Sequence, residues 1–512
     1  MQVKQQRRLV FASVLAGTLG LIVLSARASG QAEHAESGPN GDFGLFVADQ
    51  LRAHSEQLFG FRHPLSESVP GPYDGADNTQ AIAVADGLTV SVVSSSVASA
   101  ADQIALWPDD DHPTHLFVCD EETSNPAVQR VDLSRPAGSN ATTIVTGLLS
   151  CDPVRRTPWG TIIVAEEHGV DGGLYEILDP LAITSAISVN DRATGATSDS
   201  SHLVKRKTVG ALSFESFGIR HDGTMIYGDE LAPSSGNPGG GLYKFVPTNP
   251  YFGTGQPPVT QPTASPLASG NVFGLRVAAN GSSNWGQGAE IGMGRWVAVD
   301  TVPAGVLDAN GNINLRAAQA LQKFTGYYRP EDMDVDPIAA ATGRFRACWA
   351  NTGRLNFGGG SFVENSAVHG EILCIVEEPN AGATTGSIPV VSRFVIGSQQ
   401  AGMFDNVAFQ PHTGNLVVLE DGPTSIVNET GQQEPRGNDL WMCLPDGADD
   451  DTLSDGCVRF ASVRDTSAEP TGFIFLGSGE AAFVNIQHRA VNDAAGAGNH
   501  GALLKISGFK VR

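Results

Sequence analysis

A repeated unit of turn glycine, short strand and paired acids constrains the fold of this chain more than any other feature. Three segments align without gaps: GTIIVAEE from Gly160, GTMIYGDE from Gly223 and GNLVVLED from Gly414. In each, a five-residue strand core follows the glycine region, and two acidic residues end the segment. Looser copies begin at His115 and Gly370. The chain is therefore built from a recurring β unit.

Short apolar runs separated by Gly, Pro, Asn and Asp continue from about Gln80 to the end of the chain. Repeated β units without helical crossovers are typical of a propeller, in which each blade buries its faces against its neighbours. We predict an all-β propeller with long loop insertions, such as the Pro- and Gly-rich segment 247–270. Helices are expected only at Phe46–Leu58 and Leu315–Phe324.

The N-terminus has the pattern of an export signal. Arg7 and Arg8 precede an apolar run, Leu9–Leu24, and the small-residue motif Ala26-Arg27-Ala28 follows it. The run is shorter than the roughly 20 residues that span a bilayer, so a membrane anchor is the less favoured interpretation. We predict a signal peptide at residues 1–28, a polar strap at 29–78 and one propeller domain at 79–512. The twin arginines suggest export of the folded protein to the periplasm or the medium.

The net charge of the chain limits the classes of partner that it can bind. A formal net charge of −23 excludes nucleic acid as a partner, because phosphate backbones require a basic surface. The inner strands of propeller blades point the same way along the axis, so acids at equivalent strand ends would converge on one mouth. Such a ring of carboxylates predicts a site for hard cations. The alternative is that these acids accept hydrogen bonds in turns or face water.

Six cysteines in an exported chain are expected to form disulfides. Cys443 and Cys457 flank a short Asp- and Gly-rich loop and are the most favoured local pair. Sequence alone does not choose among the other pairings.

Several motifs occur in one order between Cys151 and His488, and together they resemble the PhoX-type alkaline phosphatases. The motifs are TPWGT from Thr157, YGDE from Tyr227, RPED from Arg329, Asp405-Asn406, EPTG from Glu469 and NIQH from Asn485. The resemblance implies a six-bladed propeller that is exported by the twin-arginine route and holds iron and calcium ions at its channel mouth. It also implies hydrolysis of a small-molecule phosphate ester.

The same resemblance implies roles for individual residues. Arg329 is expected to grip a phosphate oxygen, and Glu331 to act beside it in catalysis; an ion pair of Arg329 with Glu331 or Asp332 is the structural alternative. Cys151 as a thiolate would suit iron, but a disulfide with Cys119 stays open. The expected metal ligands are Cys151, Glu166, Glu167, Glu215, Asp229, Glu331, Asp405 and Asp421.

The favoured function is an exported, monomeric, metal-dependent phosphoesterase with no membrane partner after signal cleavage. Two other functions stay open at this point. One is a non-catalytic propeller that calcium stabilises and that serves as a binding or envelope module. The other is a calcium-dependent hydrolase of the lactonase type, which uses similar carboxylates at a channel mouth.

Overall fold

Six four-stranded antiparallel blades form a closed ring in the computed structural model of the chain. The innermost strands contact one another in chain order, and the innermost strand of blade 6 contacts that of blade 1. The predicted six-bladed propeller is therefore confirmed. The structure describes residues 45–511, apart from 74, 76, 123–126, 235–236, 254–257, 278–290, 354–368, 378–387, 399, 423–424, 428–432, 448–450 and 489–500.

The blades follow one another along the chain, and each begins with its innermost strand. Blade 1 comprises Ala101–Trp107, His115–Asp120, Ala127–Asp132 and Ala141–Thr146. Blade 2 comprises Cys151–Arg156, Ile162–Glu166, Leu174–Ile177 and Leu203–Lys205. Blade 3 comprises Phe214–Ile219, Met225–Asp229, Gly240–Pro247 and Gly270–Val277.

The second half of the ring repeats this order. Blade 4 comprises Pro330–Val335, Phe345–Asn351, Glu371–Glu377 and Val390–Ile396. Blade 5 comprises Phe404–Phe409, Leu416–Glu420, Asp439–Cys443 and Cys457–Val463, with Ile82–Val84 as a fifth strand. Blade 6 comprises Glu469–Phe475, Ala481–Gln487, Ala502–Ser507 and, as its outer strand, Thr89–Ser94.

The remaining elements extend the four-stranded blades or lie outside them. Gly292–Ala298 pairs with the outer strand of blade 3 and, at one end, with that of blade 4. The expected helices are present as Leu45–Ala53 with Ser55–Leu58, and as Leu315–Gln322, which Asn314 caps. Ile187–Asp191 pairs in parallel with the outer strand of blade 1, and Ala196–Thr197 pairs with Ile187–Asp191 in turn. Gly326–Tyr327 pairs with the third strand of blade 3. The helix Pro337–Ala341 and the strand pair Ser425–Val427 and Gln433–Pro435 complete the α-helices and β-strands of the described residues.

The repeated strand cores are apolar because blades are covered on both faces. All five residues of Ile162–Glu166 are buried, and the same holds for Met225–Asp229 and Leu416–Glu420. A strand with a single buried face would instead alternate between apolar and polar residues. The gap-free repeat thus corresponds to the second strand of blades 2, 3 and 5.

The N-terminal part of the chain closes the ring. Thr89–Ser94 pairs with the C-terminal strand Ala502–Ser507, and Ile82–Val84 pairs with blade 5. Phe61 and Phe509, from opposite ends of the chain, share an aromatic cluster with Phe460. Closure therefore depends on segments more than 400 residues apart.

Two disulfides lie within single blades. Cys443–Cys457 joins the third and fourth strands of blade 5, as the loop between the two cysteines suggests. Cys348–Cys374 joins the second and third strands of blade 4. Each bond ties strands that already pair by hydrogen bonds.

The signal peptide predicted at residues 1–28 lies outside the described residues, and the division into strap and propeller stays a prediction. In the part of the chain that the structure describes, no helix has the length and apolar character needed to cross a membrane.

We expect Leu504→Ala to destabilise the protein by about 2–5 kcal/mol, because Leu504 is fully buried in the seam that closes the ring. Ser91 lies exposed on the facing strand and is the control. Ser91→Ala should change the free energy of unfolding by less than about 0.5 kcal/mol. Denaturant unfolding measures both variants, and equal effects would contradict a packed seam.

Candidate metal centre

The innermost strands carry acidic residues at equivalent positions. In blades 1 to 5 the second residue of the innermost strand is acidic, and in blade 6 the first residue is. These residues are Asp102, Asp152, Glu215, Glu331, Asp405 and Glu469. The six innermost strands run in the same direction along the channel axis. All six acids therefore lie at the same end of the channel.

A local distortion of each blade accompanies these acids. In blades 1 to 5 the register between the first two strands shifts after the first residue of the innermost strand, for example between Phe214 and Phe217. A bulge of this kind redirects a side chain out of the regular alternation. The acid at the second position lies within the bulge in every one of these blades.

A second set of acids follows the second strand of the blades. Glu121, Glu167, Glu230 and Asp421 each lie one residue beyond the last strand residue, in blades 1, 2, 3 and 5. In blade 4 this position is Thr352, whose hydroxyl donates to Glu331 Oε1 at 2.6 Å. These residues surround the channel end that the first set lines.

Nine of these carboxylates form four overlapping groups. Within each group the candidate ligand oxygens all lie within 4.8 Å of one another. Each group shares one residue with the next, so the groups form a continuous arc that we call the acidic arc. The four groups are Asp102, Glu121 and Asp152; Asp152, Glu167 and Glu215; Glu215, Glu331 and Asp405; and Asp405, Asp421 and Glu469.

The two members of each acidic pair in the repeat face different surroundings. Glu166 accepts from Arg192 Nε at 2.6 Å, and Asp229 pairs with Arg316 Nη2 at 2.8 Å. Glu420 pairs with Arg436 in the same way. Successive residues of a strand point to opposite faces, so the first acid turns away from the mouth and the second turns toward it.

Two sequence-based ligand assignments therefore need correction. Glu166 and Asp229 were expected among the metal ligands, but neither belongs to the acidic arc. Each is fully buried beside an arginine, which is the arrangement of a structural ion pair.

Cys151 requires a third correction. It was expected as a thiolate ligand, but its sulfur is bonded to that of Cys119. Both cysteines are fully buried in an apolar cluster with Phe117 and Val154. The arc groups consequently contain carboxylate oxygens as donors and no thiolate.

Arg329 lies at the rim of the arc. Its Nε donates to Glu230 Oε1 at 2.5 Å, and its Nη2 is 3.0 Å from Glu331 Oε1. The residue has a positive φ of 53°, which is uncommon for a residue other than glycine. The side chain is 27% exposed. The ion pair with Glu331 is present, and part of the Arg329 side chain is still exposed.

Burial and mutual repulsion raise the pKa values of the arc carboxylates. Burial, followed by the charge of Asp421, raises the pKa of Asp405 to about 7. Burial, followed by the charges of Glu230 and Glu121, raises the pKa of Glu167 to about 8. The pKa values of Asp102, Asp152, Glu215, Glu331 and Glu469 are also well above the usual range, with burial as the largest cause.

Buried oxygen atoms without a hydrogen-bond donor lie within the arc and beside it, in blades 1 and 6. Asp102 Oδ1, Asn485 Oδ1 and Gln487 Oε1 have no hydrogen-bond partner within the described part of the chain. The amide nitrogen of Gln487 donates to Asp102, Glu121 and Glu469 at 3.0–3.2 Å. Such unsatisfied acceptors cost free energy unless a donor or a cation meets them. This donor set fits hard cations such as calcium.

A layer of polar residues lies beneath the arc. Arg155 donates to Gln103 Oε1 at 2.7 Å and to Asp332 Oδ1 at 2.8 Å, and Ser216 Oγ is 3.2 Å away. Gln103, Ser216 and Asp332 are each the third residue of their innermost strand. Asp332 of the RPED motif therefore supports the site from below, while its neighbour Glu331 belongs to the arc.

Sequence reasoning missed four members of the arc: Asp102, Glu121, Asp152 and Glu469. The looser repeat copy HLFVCDEE contains the acid that Glu121 supplies. The other three lie at the start of innermost strands, a position that the aligned repeat did not cover. An alignment of these strand starts would have placed Asp102 and Asp152 with Glu215, Glu331 and Asp405.

Comparisons with known proteins agree with this fold. The structure of Pseudomonas fluorescens PhoX in complex with vanadate, a transition state analogue, is similar with a TM-score of 0.59 and 15% identity, over 86% of this chain and 97% of that one. At this identity the similarity shows the shared fold.

Other solved structures are less similar. The PQQ domain of pyranose dehydrogenase from Coprinopsis cinerea has a TM-score of 0.36 at 12% identity, over 86% of this chain and all of its own. A Trichoderma reesei carbohydrate-active enzyme of family AA12, in its calcium structure, has a TM-score of 0.31 at 11% identity, over 67% of this chain and 95% of its own. No curated protein sequence matches.

The model of the family described as alkaline phosphatase PhoX matches residues 194–490. The matched range contains Glu215, Arg329, Glu331, Asp405 and Glu469. Because the match covers more than half of the chain, the protein belongs to the PhoX alkaline phosphatase family.

Proposed function

We propose that the protein is an exported phosphomonoesterase that binds calcium and iron ions in the acidic arc. The observation that carries this proposal is the set of four overlapping carboxylate groups at one end of the channel. Membership in the PhoX family supports a metal-dependent phosphoesterase over a binding module or a lactonase-type hydrolase.

Some of the proposed metal ligands were expected from the sequence, and the structure adds the others. Glu167, Glu215, Glu331, Asp405 and Asp421 were expected from the sequence and belong to the arc. Asp102, Glu121, Asp152 and Glu469 complete it. Calcium takes six to eight oxygen ligands, and shared carboxylates between adjacent groups can supply them. Iron in this arc would also be held by carboxylates, since the Cys151 sulfur is bonded to Cys119.

Cations in the arc would also offset the repulsion between the acidic protein and a negatively charged phosphate ester. A chain with a net charge of −23 repels a phosphate ester, and the arc concentrates negative charge where the ester must bind. When bound, the metal ions would neutralise the phosphate and activate an oxygen nucleophile. The carboxylates of the arc set where those ions lie.

Arg329 is the residue that we propose for phosphate binding. Its planar guanidinium can hold two phosphate oxygens, and its ion pairs with Glu230 and Glu331 orient it at the rim. The arginine would thus contact the substrate while Glu331 contacts a metal ion.

The cellular setting follows from the same proposal. We propose that the twin-arginine signal carries the folded protein to the periplasm or the medium, where it acts as a monomer on small phosphate esters. An oxidising compartment agrees with the pairing of all six cysteines in disulfides.

Glu331→Gln should lower phosphate release from p-nitrophenyl phosphate by at least about 100-fold. Mutation of residues that only support a metal ligand lowers metal affinity or activity by about 10- to 100-fold, and Glu331 is proposed as a ligand itself. Asp229→Asn is the matched control, since Asp229 is as deeply buried but pairs with Arg316. The control should lose about 3–5 kcal/mol of stability and keep the full number of bound cations. Elemental analysis and denaturant unfolding of both proteins make this comparison, and an equal loss of metal in both would contradict the assignment.

The cation-free protein should become less stable as pH rises from about 5 to about 9. The pKa values of Glu167 and Asp405 in the folded protein are raised to about 8 and about 7. Between the unfolded and folded pKa values the folded state therefore binds more protons, so stability falls with rising pH.

Calcium should remove this dependence, because a bound cation replaces the protons. The Tm of EGTA-treated protein is measured against pH with and without added calcium. A Tm that rises with pH in the cation-free protein, or a dependence that calcium leaves unchanged, would contradict the proposed arc.

Arg329→Ala should raise the KM for p-nitrophenyl phosphate by about 10- to 100-fold, because a hydrogen bond to a charged group contributes about 1.5–3 kcal/mol. The KM of Arg329→Lys should lie between those of the wild-type protein and Arg329→Ala, because lysine keeps the positive charge but lacks the planar guanidinium. Arg135 is exposed in the connection between the third and fourth strands of blade 1, and Arg135→Ala serves as the control. An unchanged KM in a fully metal-loaded Arg329→Ala protein would exclude phosphate binding by this side chain.

A further inference from the structure

The disulfide between Cys119 and Cys151 differs in its place in the fold from the other two. Cys119 lies in the second strand of blade 1, and Cys151 is the first residue of the innermost strand of blade 2. This bond therefore joins two blades, whereas Cys348–Cys374 and Cys443–Cys457 each join paired strands of one blade.

Each end of this interblade bond lies next to a member of the acidic arc. Glu121 follows Cys119 by two residues, and Asp152 follows Cys151 directly. Glu121, Asp152 and Asp102 form one of the four carboxylate groups, with ligand oxygens within 4.8 Å. The covalent bond thus spans the same pair of blades as this group of ligands.

Charge repulsion acts against the contact between the two blades at this point. Three carboxylates with oxygens this close repel one another, and repulsion acts to move the two blades apart at this end. Hydrogen bonds from Gln103 to Asp152 at 3.4 Å and from Arg155 to Gln103 at 2.7 Å cross the same boundary, with Gln103 and Arg155 in the layer beneath the arc. A covalent bond between the strands opposes this separation directly.

Both sulfurs are fully buried among apolar side chains, including Ile162 and Val164. A sulfur in such surroundings stays out of contact with solvent and with reductants while the protein is folded. The bond therefore acts as a permanent restraint in the folded protein.

We propose that the Cys119–Cys151 disulfide is a positioning element that holds Glu121 and Asp152 at the spacing needed for a cation bound with Asp102. This inference rests on the proposed metal centre. Ligands that are held in place before binding lose less entropy when the cation binds, so the restraint raises affinity at this position. The other arc positions, formed by Glu331, Asp405 and their neighbours, depend on it less.

The test measures calcium binding alone, by isothermal titration of EGTA-treated full-length protein. Cys119→Ala, Cys151→Ala and the double variant should each weaken one calcium site by about 10- to 100-fold, the range for changes in groups that support metal ligands. The three effects should be equal, because either substitution breaks the same bond. The double variant Cys443→Ala with Cys457→Ala is the matched control; it should lose stability and keep every calcium affinity.

The outcomes separate the competing explanations. Weak binding in Cys151→Ala with normal binding in Cys119→Ala would overturn the proposal and assign the sulfur as a ligand. Equal weakening in the blade 5 control, or unchanged affinity in all three variants, would also overturn it. A wild-type protein that binds no calcium would refute the metal centre itself, a result distinct from failure of the positioning role.

A second measurement does not depend on whether the variants fold. The wild-type protein is unfolded without reductant in an alkylating agent, and its peptides are mapped by mass spectrometry. None of the six cysteines should be alkylated. Alkylation at Cys119 and Cys151 would overturn the proposal.

Discussion

Nine carboxylates lie close together at one end of the channel, and the contacts around them must offset their mutual repulsion. Bringing so many like charges into a buried space costs free energy, and the raised pKa values of Asp405 and Glu167 are its consequence. The blades resist this repulsion through several contacts. Arg155 lies beneath the arc, Arg329 lies at its rim, and the amide of Gln487 bridges three of its members.

The strand alternation gives each acidic pair of the repeat two different roles. The first acid, as in Glu166 and Asp229, is fully buried against an arginine and ties strands to surrounding segments. The second acid, as in Glu167 and Asp421, belongs to the arc. Much of the surplus negative charge is thus placed in the interior, some of it neutralised by arginine and some of it directed at the channel mouth.

A good part of this arrangement was predictable from local pattern. The aligned repeat pointed to Glu167 and Asp421, and the motifs pointed to Glu215, Glu331 and Asp405; all five carboxylates belong to the arc. The errors at Glu166 and Asp229 have one cause, because their arginine partners Arg192 and Arg316 lie 26 and 87 residues away along the chain. Asp102 and Asp152 were missed because the aligned repeat covers the second strand of a blade and not the start of the innermost strand.

The sequence by itself determined the β class, the repeated unit and the surplus of acids at strand ends, because these depend on short-range periodicity. The tertiary structure decided which acids meet. Ring closure by Thr89–Ser94 brings the six strand starts to one mouth, and strand register separates arc carboxylates from those paired with arginine. It also joined Cys151 to Cys119. Proximity across blades depends on long-range packing, which no local pattern contains.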